Sequence, residues 1–488
     1  MKIKSYRLLT VAALGFTLLA SAAFAQTLPG QAEVANARWT VLTNQPTFDT
    51  DTALLLTDGT VIVHEYSTPN WWRLTPDITG SYVNGTWSQI ASMPSNYGPL
   101  YFASAVLPDG RVLLEGGEYN FGVGTETNLG AIYDPVANVW TPVSPPAGWS
   151  TIGDSPCVVL QDGTFMMGQN SSRRQVLFNP STLTWTAIGS GKSDNYSEEG
   201  FAILPGGAVL TVDTASGTNS EIFNPSTQIW SSAGSTIVRL SDPGSLEIGP
   251  QIQRPDGTVV AFGGTVHNAI YNPATSTWTA GPDFPGGNDM ADAPAALLPD
   301  GNILVFVSPG IFQTPASFYV FDGTTFTQAP STRTARRLTS YQGRMLVLPT
   351  GQILWLVADG GTIDVEVYTS QGKPNSAWAP TLTSVPGTLV RGNSYQISGT
   401  QFNGLSFGAD YGDDATMATN YPIVRITNVA TQHVFYARTH NHTSMGIATG
   451  ATVVSTTVDI PAGIETGDSK FVVVANGIAS KAKRVTIQ

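Results

Sequence analysis

Along this chain a short aliphatic run, a glycine turn and a second such run recur, and that repeat constrains the fold more than anything else in the sequence. The clearest copy is LYFASAVLPDGRVLLEGGE, residues 100–118. Its runs 102–107 and 111–114 read as β-strands. Pro108-Asp109-Gly110 supplies a turn in which glycine takes positive φ, and Gly116-Gly117 lets the chain bend away. Seven such turns occur: Asp58-Gly59, Asp109-Gly110, Asp162-Gly163, Gly206-Gly207, Asp256-Gly257, Asp300-Gly301 and Thr350-Gly351. They stand about 44–53 residues apart, a period expected of propeller blades with four strands each.

A second mark falls late in the repeat: DPVANVW to Trp140, NPSTLTW to Trp185, NPSTQIW to Trp230 and NPATSTW to Trp278, weakening to FDGTTFT in the sixth copy. Asp/Asn-Pro starts a turn, and the Trp begins an outer strand where its face can be buried between neighbouring blades. The seventh copy, residues 341–369, lacks a Trp-marked strand. RWTVLT, residues 38–43, stands unpaired near the N-terminus with Trp39 in the right place. It is expected to supply the missing outer strand and close the ring, leaving no exposed sheet edge.

The ends of the chain read differently. Lys2, Lys4 and Arg7 precede an apolar stretch over 8–20, and Ala23-Phe24-Ala25 before Gln26 is a cleavage site of A-x-A type, so residues 1–25 are expected to be an export signal. The expected location is therefore secreted or periplasmic. Removing the signal takes the formal net charge from −12 to −15, which argues against nucleic acid and membrane insertion. Cys157 is the one cysteine; it forbids a disulfide framework and reads as a small buried hydrophobe. The propeller is assigned to 36–374. From 375 to 488 short alternating strands, such as YPIVRITN and KFVVVANGIASKAKRVTI, predict an immunoglobulin-like (E-set) β-sandwich without its disulfide. Residues 404–419 form a long loop in it, and Asp410, Asp413 and Asp414 there are assigned to solvation and Asx turns.

The PDG…GG and NPxTxxW marks are kelch repeats. Seven of them behind a signal and before an Ig-like domain resemble the galactose oxidase and glyoxal oxidase superfamily, over residues 36–488. The chain also resembles uncharacterised bacterial secreted kelch proteins, in phrases such as NGLSFGADYGDDATMATNYPIVRITN. The resemblance implies a copper ion on the propeller axis. Its ligands would be a tyrosine cross-linked to cysteine, an axial tyrosine followed by histidine, and a histidine from the Ig-like domain. By position these places fall on Tyr101, on Tyr341-Gln342 and on His440, making Tyr101 and Tyr341 the catalytic candidates and Tyr101, Tyr341, Gln342 and His440 the metal set. The cysteine expected near residues 49–51 is missing, and Gln342 offers an amide in place of an imidazole.

Independently of the family, acids precede the first strand of most repeats: Asp49, Asp51, Asp154, Glu198, Glu199, Glu247, Asp289 and Asp292. If the repeats are equivalent, these converge on one end of the channel as a ligand-binding ring. They would then hold a hard cation such as Ca²⁺ or do acid–base work; otherwise they decorate solvated loop mouths. His440 and His442 could share a metal, whereas His433 reads as a surface residue and His64 and His267 as structural histidines. Trp71-Trp72 cannot both point inward, and Tyr119-Asn120-Phe121 could offer an aromatic face to sugar rings. The leading expectation is a binding protein for carbohydrate or another extracellular ligand. A galactose-oxidase-like copper oxidoreductase is the alternative, and a hydrolase or lyase using axial carboxylates the third reading.

Overall fold

The computed structural model describes residues 34, 36–412 and 417–488. The expected export signal and the acids Asp413 and Asp414 lie outside the described residues. The chain is all-β, and its repeats fold as antiparallel sheets in an arrangement consistent with a β-propeller. In the first, Thr50–Leu55, Val61–Glu65, Trp71–Thr75 and Thr86–Gln89 pair in chain order. The next four sheets repeat this pattern within residues 103–143, 157–188, 202–235 and 248–280. Inner strands such as Ala103–Val106 and Pro294–Leu297 are wholly buried, and outer ones such as Thr86–Gln89 are largely exposed. Apolar runs therefore mark the axis side.

The last sheet is completed from the other end of the chain. Gly343–Val347, Ile353–Val357 and Val365–Thr369 are followed by Arg38–Val41, with Trp39 opposite Tyr368. The tryptophans explain how the sheets stack. The outer-strand indoles donate from Nε1 to the preceding unit: Trp140 to the Ala91 carbonyl at 2.9 Å, Trp185 to the Ser144 carbonyl at 2.8 Å and Trp278 to the Ser220 hydroxyl at 2.8 Å. Trp39 donates to the Pro330 carbonyl at 2.8 Å, and Trp87 to that of Asn44 at 3.0 Å. A large apolar face is buried between sheets while its one polar atom finds a fixed acceptor, so packing angle and register are set together.

Beyond residue 380 two further sheets face each other around a separate apolar cluster that includes Ile397, Val424, Phe471 and Val485. This part packs against the glycine-turn end of the repeats. Arg438 Nη2 donates to the Asp109 carbonyl at 2.7 Å, and the amides of His442 and Met445 donate to the carbonyls of Pro108 and Gln161 at 3.1 and 3.0 Å.

One stretch departs from its sequence expectation. Ala409–Tyr411 is a strand added to the inner edge of the sixth repeat's sheet, where Pro294 faces Tyr411 and Ala295 faces Asp410. The Leu297 amide donates to the Gly408 carbonyl at 2.7 Å. Asp410 is thus 2% exposed, not the solvated loop residue expected. An inner sheet edge offers unpaired amides that water cannot reach, and this segment satisfies them.

Candidate functional site

At the end of the channel opposite the glycine turns, the chain enters each inner strand through a tight bend. Tyr101, Glu198 and Asp292 occupy equivalent places there with φ of +51°, +57° and +43°. A non-glycine residue in the left-handed region costs on the order of 1 kcal/mol or more and persists only where its surroundings fix it. Here the bend turns these side chains toward the axis. Tyr101 and Asp292 help line a cavity of about 480 Å³, which Glu198 adjoins and whose aromatic residues are Tyr66, Tyr101, Tyr119, Phe312 and Tyr341. The carboxyl groups of Glu118, Asp154, Glu247 and Asp292 share the lining.

The carboxyls are not independent. Carboxylate oxygens of Glu198, Glu247 and Asp292 lie within 4.8 Å of one another. Burial pushes Glu247 up to about 8 and the negative charge of Glu198 adds to the rise, while a hydrogen bond with Asp292 opposes it. Glu247 therefore keeps its proton at neutral pH, as one of several like charges in a confined space must. Burial also raises Glu118, with Glu126 adding to it. Asp154 accepts a hydrogen bond from Asn170 Nδ2. The Glu198, Glu247 and Asp292 oxygens are the hard donors able to hold a cation; alternatively the group can hold and move a proton.

Beneath the cavity lies a cation that sequence reading missed. Arg344 is 2% exposed, with Nη1 donating to the carbonyls of Tyr341 at 2.8 Å and Gly343 at 2.9 Å. Its Nη2 pairs with Asp51 at 3.2 Å. The guanidinium carbon lies 3.8 Å from the Tyr411 ring centre and 5.7 Å from that of Tyr101, and the Tyr411 hydroxyl donates to the Tyr341 carbonyl at 3.2 Å. Burial pushes the Tyr101 phenol well up; Arg344 opposes this, and Tyr66, Asp51 and Asp292 reinforce it. The phenol is held protonated.

Of the residues singled out from sequence, Tyr101, Tyr119, Tyr341, Asp154, Glu247 and Asp292 line the cavity, and Glu198 adjoins it. The others are placed elsewhere or occupied. Asp51 is fully buried between Arg344 and His64 Nδ1, the latter at 3.1 Å. Glu199 is buried against Lys192 at 2.9 Å. Asp289 caps the Ala291 amide at 3.2 Å and burial lifts it to about 6. Half-buried Asp49 receives the Tyr66 amide on its backbone carbonyl at 2.9 Å. Gln342 caps a 3₁₀ turn, its Oε1 accepting from the Thr339 amide at 3.0 Å. His440 pairs with Asp459 at 3.0 Å in the C-terminal sheets, beside the strand residue Thr439, whose amide bonds Thr57 near the first glycine turn. That is the wrong end of the channel for Tyr101 and Tyr341. His442 is likewise buried, bonded to the Thr456 hydroxyl at 2.8 Å and pushed down to about 3 by burial.

These placements decide the copper question. The cavity lining contains neither imidazole nor thiol, Cys157 is buried with its Sγ on the Ser104 carbonyl at 3.5 Å, and a guanidinium stacks below Tyr101. The residues present do not fit a copper centre, because the nitrogen and sulfur donors that copper favours are absent from the lining and a fixed positive charge adjoins the phenol.

The sequence reading missed Tyr66, Glu118, Phe312, Arg344 and Tyr411. Only Arg344 left a signal, a lone charge inside the apolar run GRMLVL, since a buried arginine demands a partner.

No family model and no curated protein matches the chain. Among solved structures, a fungal alcohol oxidase of the AA5 family, in complex with copper, matches over 93% of this chain and 99% of its own, with 13% identity and a TM-score of 0.53. A streptogramin B lyase covers 68% of this chain and 97% of its own, at 10% identity and TM-score 0.47. An inactive virginiamycin B lyase from Staphylococcus aureus covers 68% and 98%, at 9% identity and TM-score 0.46. The first of these shows a shared β-propeller fold.

Proposed function

We propose that the chain is a secreted, galactose-oxidase-like kelch propeller of seven blades with a C-terminal Ig-like domain, and that its axial cavity binds carbohydrate. The observation that carries this reading is the composition of the cavity. Five aromatic rings and four carboxyl groups line about 480 Å³, within the range of small-ligand sites. Aromatic faces stack on the CH faces of sugar rings, and carboxylates accept from hydroxyls. Isothermal titration against a panel of oligosaccharides tests the reading: saturable binding lost in Tyr119→Ala is expected, and no binding to any glycan overturns it.

A second reading is favoured by one observation. Glu247, held at about 8 beside Glu198 and Asp292, is placed to donate a proton as a general acid in a hydrolase or lyase. Release of new reducing ends or unsaturated products, abolished in Glu247→Gln, would support it; intact glycans after prolonged incubation would exclude it.

A further inference from the structure

One of the C-terminal sheets carries a group of cations that the fold does not use. In it the strand Gly467–Ala475 lies between Ile423–Asn428 and Lys483–Ile487. Ser469, Phe471 and Val473 are buried on the core side, which leaves Asp468 and Lys470 exposed on the outer face. The register sets Lys470 directly opposite Arg484 on one neighbour and Thr427 on the other, and Arg425 opposite Val472. Lys481 and Lys483 are exposed beside Arg484. Among the described residues, Lys470, Lys481, Lys483 and Arg484 form no ion pair. Like charges directly opposite each other destabilise a sheet. Lysine on an edge strand blocks pairing with another chain, but Gly467–Ala475 is a central strand, so that role does not account for Lys470. Asp468 shares the face, where it accepts from the Thr486 hydroxyl at 3.4 Å. In a chain of formal net charge −12 the face is a local reversal of sign, and acids more than about 8 Å away are screened at physiological salt.

We propose that this face binds a linear acidic polysaccharide, its carboxylates or sulfates set across Lys470 and Arg484, with Lys481 and Lys483 extending the contact. The surface is separate from the axial cavity and does not depend on what the cavity binds. Lysine and arginine donate charge-assisted hydrogen bonds to such anions, and an anion between Lys470 and Arg484 relieves their mutual repulsion. Two other polyanions fit less well. Duplex nucleic acid carries a charge every ~1.7 Å, so the acidic body of this chain repels it more than a polymer with one anion per sugar. Binding to an anionic membrane draws on buried apolar area as well as charge, and this face presents Thr427, Thr486 and a Val472 that is 8% exposed.

The test is binding of the full chain to immobilised polygalacturonate, heparin and neutral galactan, and to phosphatidylserine vesicles and duplex DNA, at low and physiological salt. Polygalacturonate or heparin is expected to bind at least about tenfold more tightly than galactan and to weaken as salt rises; the tighter of the two identifies carboxylate or sulfate as the recognised group. The double variant Lys470→Gln, Arg484→Gln is expected to weaken binding at least about tenfold, with a melting temperature unchanged or raised because like charges no longer face each other. Asp468→Asn is expected to tighten it. Arg336→Gln with Arg337→Gln, exposed cations of the repeats, should leave it unchanged. No binding of either acidic glycan, equal binding of galactan, tighter binding of vesicles or DNA, or full binding by the double variant would overturn the inference. None of these results bears on the cavity, whose oligosaccharide titration stands separately.

Discussion

Replacing Lys192 by methionine tests the strongest charge arrangement outside the cavity. Lys192 is 7% exposed, and its Nζ lies 2.6 Å from Glu221, 2.9 Å from Glu199 and 3.4 Å from Asp213. It also sits 5.2 Å from the Tyr196 ring centre and 5.7 Å from that of Trp230. Methionine keeps much of the volume and removes the charge, leaving three buried carboxyls without their cation. Removing one partner from a buried ion pair costs about 3–5 kcal/mol. At roughly 2–4 °C per kcal/mol for a large domain, the melting temperature at pH 8 should fall by about 10 °C. The pH dependence has a definite sign. Burial lifts Asp213 to about 7, with Lys192 opposing and Glu221 reinforcing the rise. The folded state therefore holds a proton that the unfolded chain gives up, and the stability linked to it is present in acid and lost as pH rises through about 7. The variant should consequently lag the parent less at pH 5 than at pH 8, because protonated carboxyls need no cation. Melts followed by circular dichroism at both pH values measure this. A shift under about 2 °C at pH 8, or a larger deficit at pH 5, would refute the reasoning.

Four further outcomes follow from the geometry. Asp51→Asn leaves the buried Arg344 guanidinium without its carboxylate and should destabilise the protein by about 3 kcal/mol or more, read as a lower melting temperature. Tyr101→Phe removes a hydroxyl that faces the cavity, so ligand affinity should fall by up to about tenfold while the melt stays unchanged. Incubation with Cu²⁺ and removal of excess should leave far less than one equivalent bound by elemental analysis, and no peroxide should form from alcohols or aldehydes. Truncation after residue 374 removes Ala409–Tyr411 from the inner sheet edge and should yield aggregated protein or one melting markedly lower by scanning calorimetry.

Much of the architecture was legible because its signals are local. A glycine turn between aliphatic runs, and an Asn-Pro turn ahead of tryptophan, each act within one repeat, and the sheets follow the repeats in order. Trp39 was also readable, since an unpaired Trp-marked strand at one end and a repeat lacking one at the other have a single economical solution. The site was legible in part. Equivalent places before the inner strands put Tyr101, Asp154, Glu247 and Asp292 around one cavity, because repetition of the sheets carries equivalent positions to one end of the channel. The same argument failed for Asp51 and Glu199: their neighbours Arg344 and Lys192 turn them into buried ion pairs, and one position along a strand separates a side chain that faces the axis from one that faces a neighbouring sheet.

The sequence by itself determined the repeat, its strands and the acidic, tyrosine-bearing bends that precede them, because turn chemistry and hydrophobic period act over a few residues. Tertiary structure alone decided what those bends enclose. Residues far apart in the chain meet at one end of the channel, Arg344 is set under Tyr101, and Ala409–Tyr411 is carried from the C-terminal part to the inner edge of a distant sheet. His440 looked like a metal ligand by its place in the chain, but it was taken out of reach by the packing of its strand against the opposite end. Such pairings depend on which sheet edges and buried charges remain unsatisfied once the repeats have closed, and no short stretch of sequence records that.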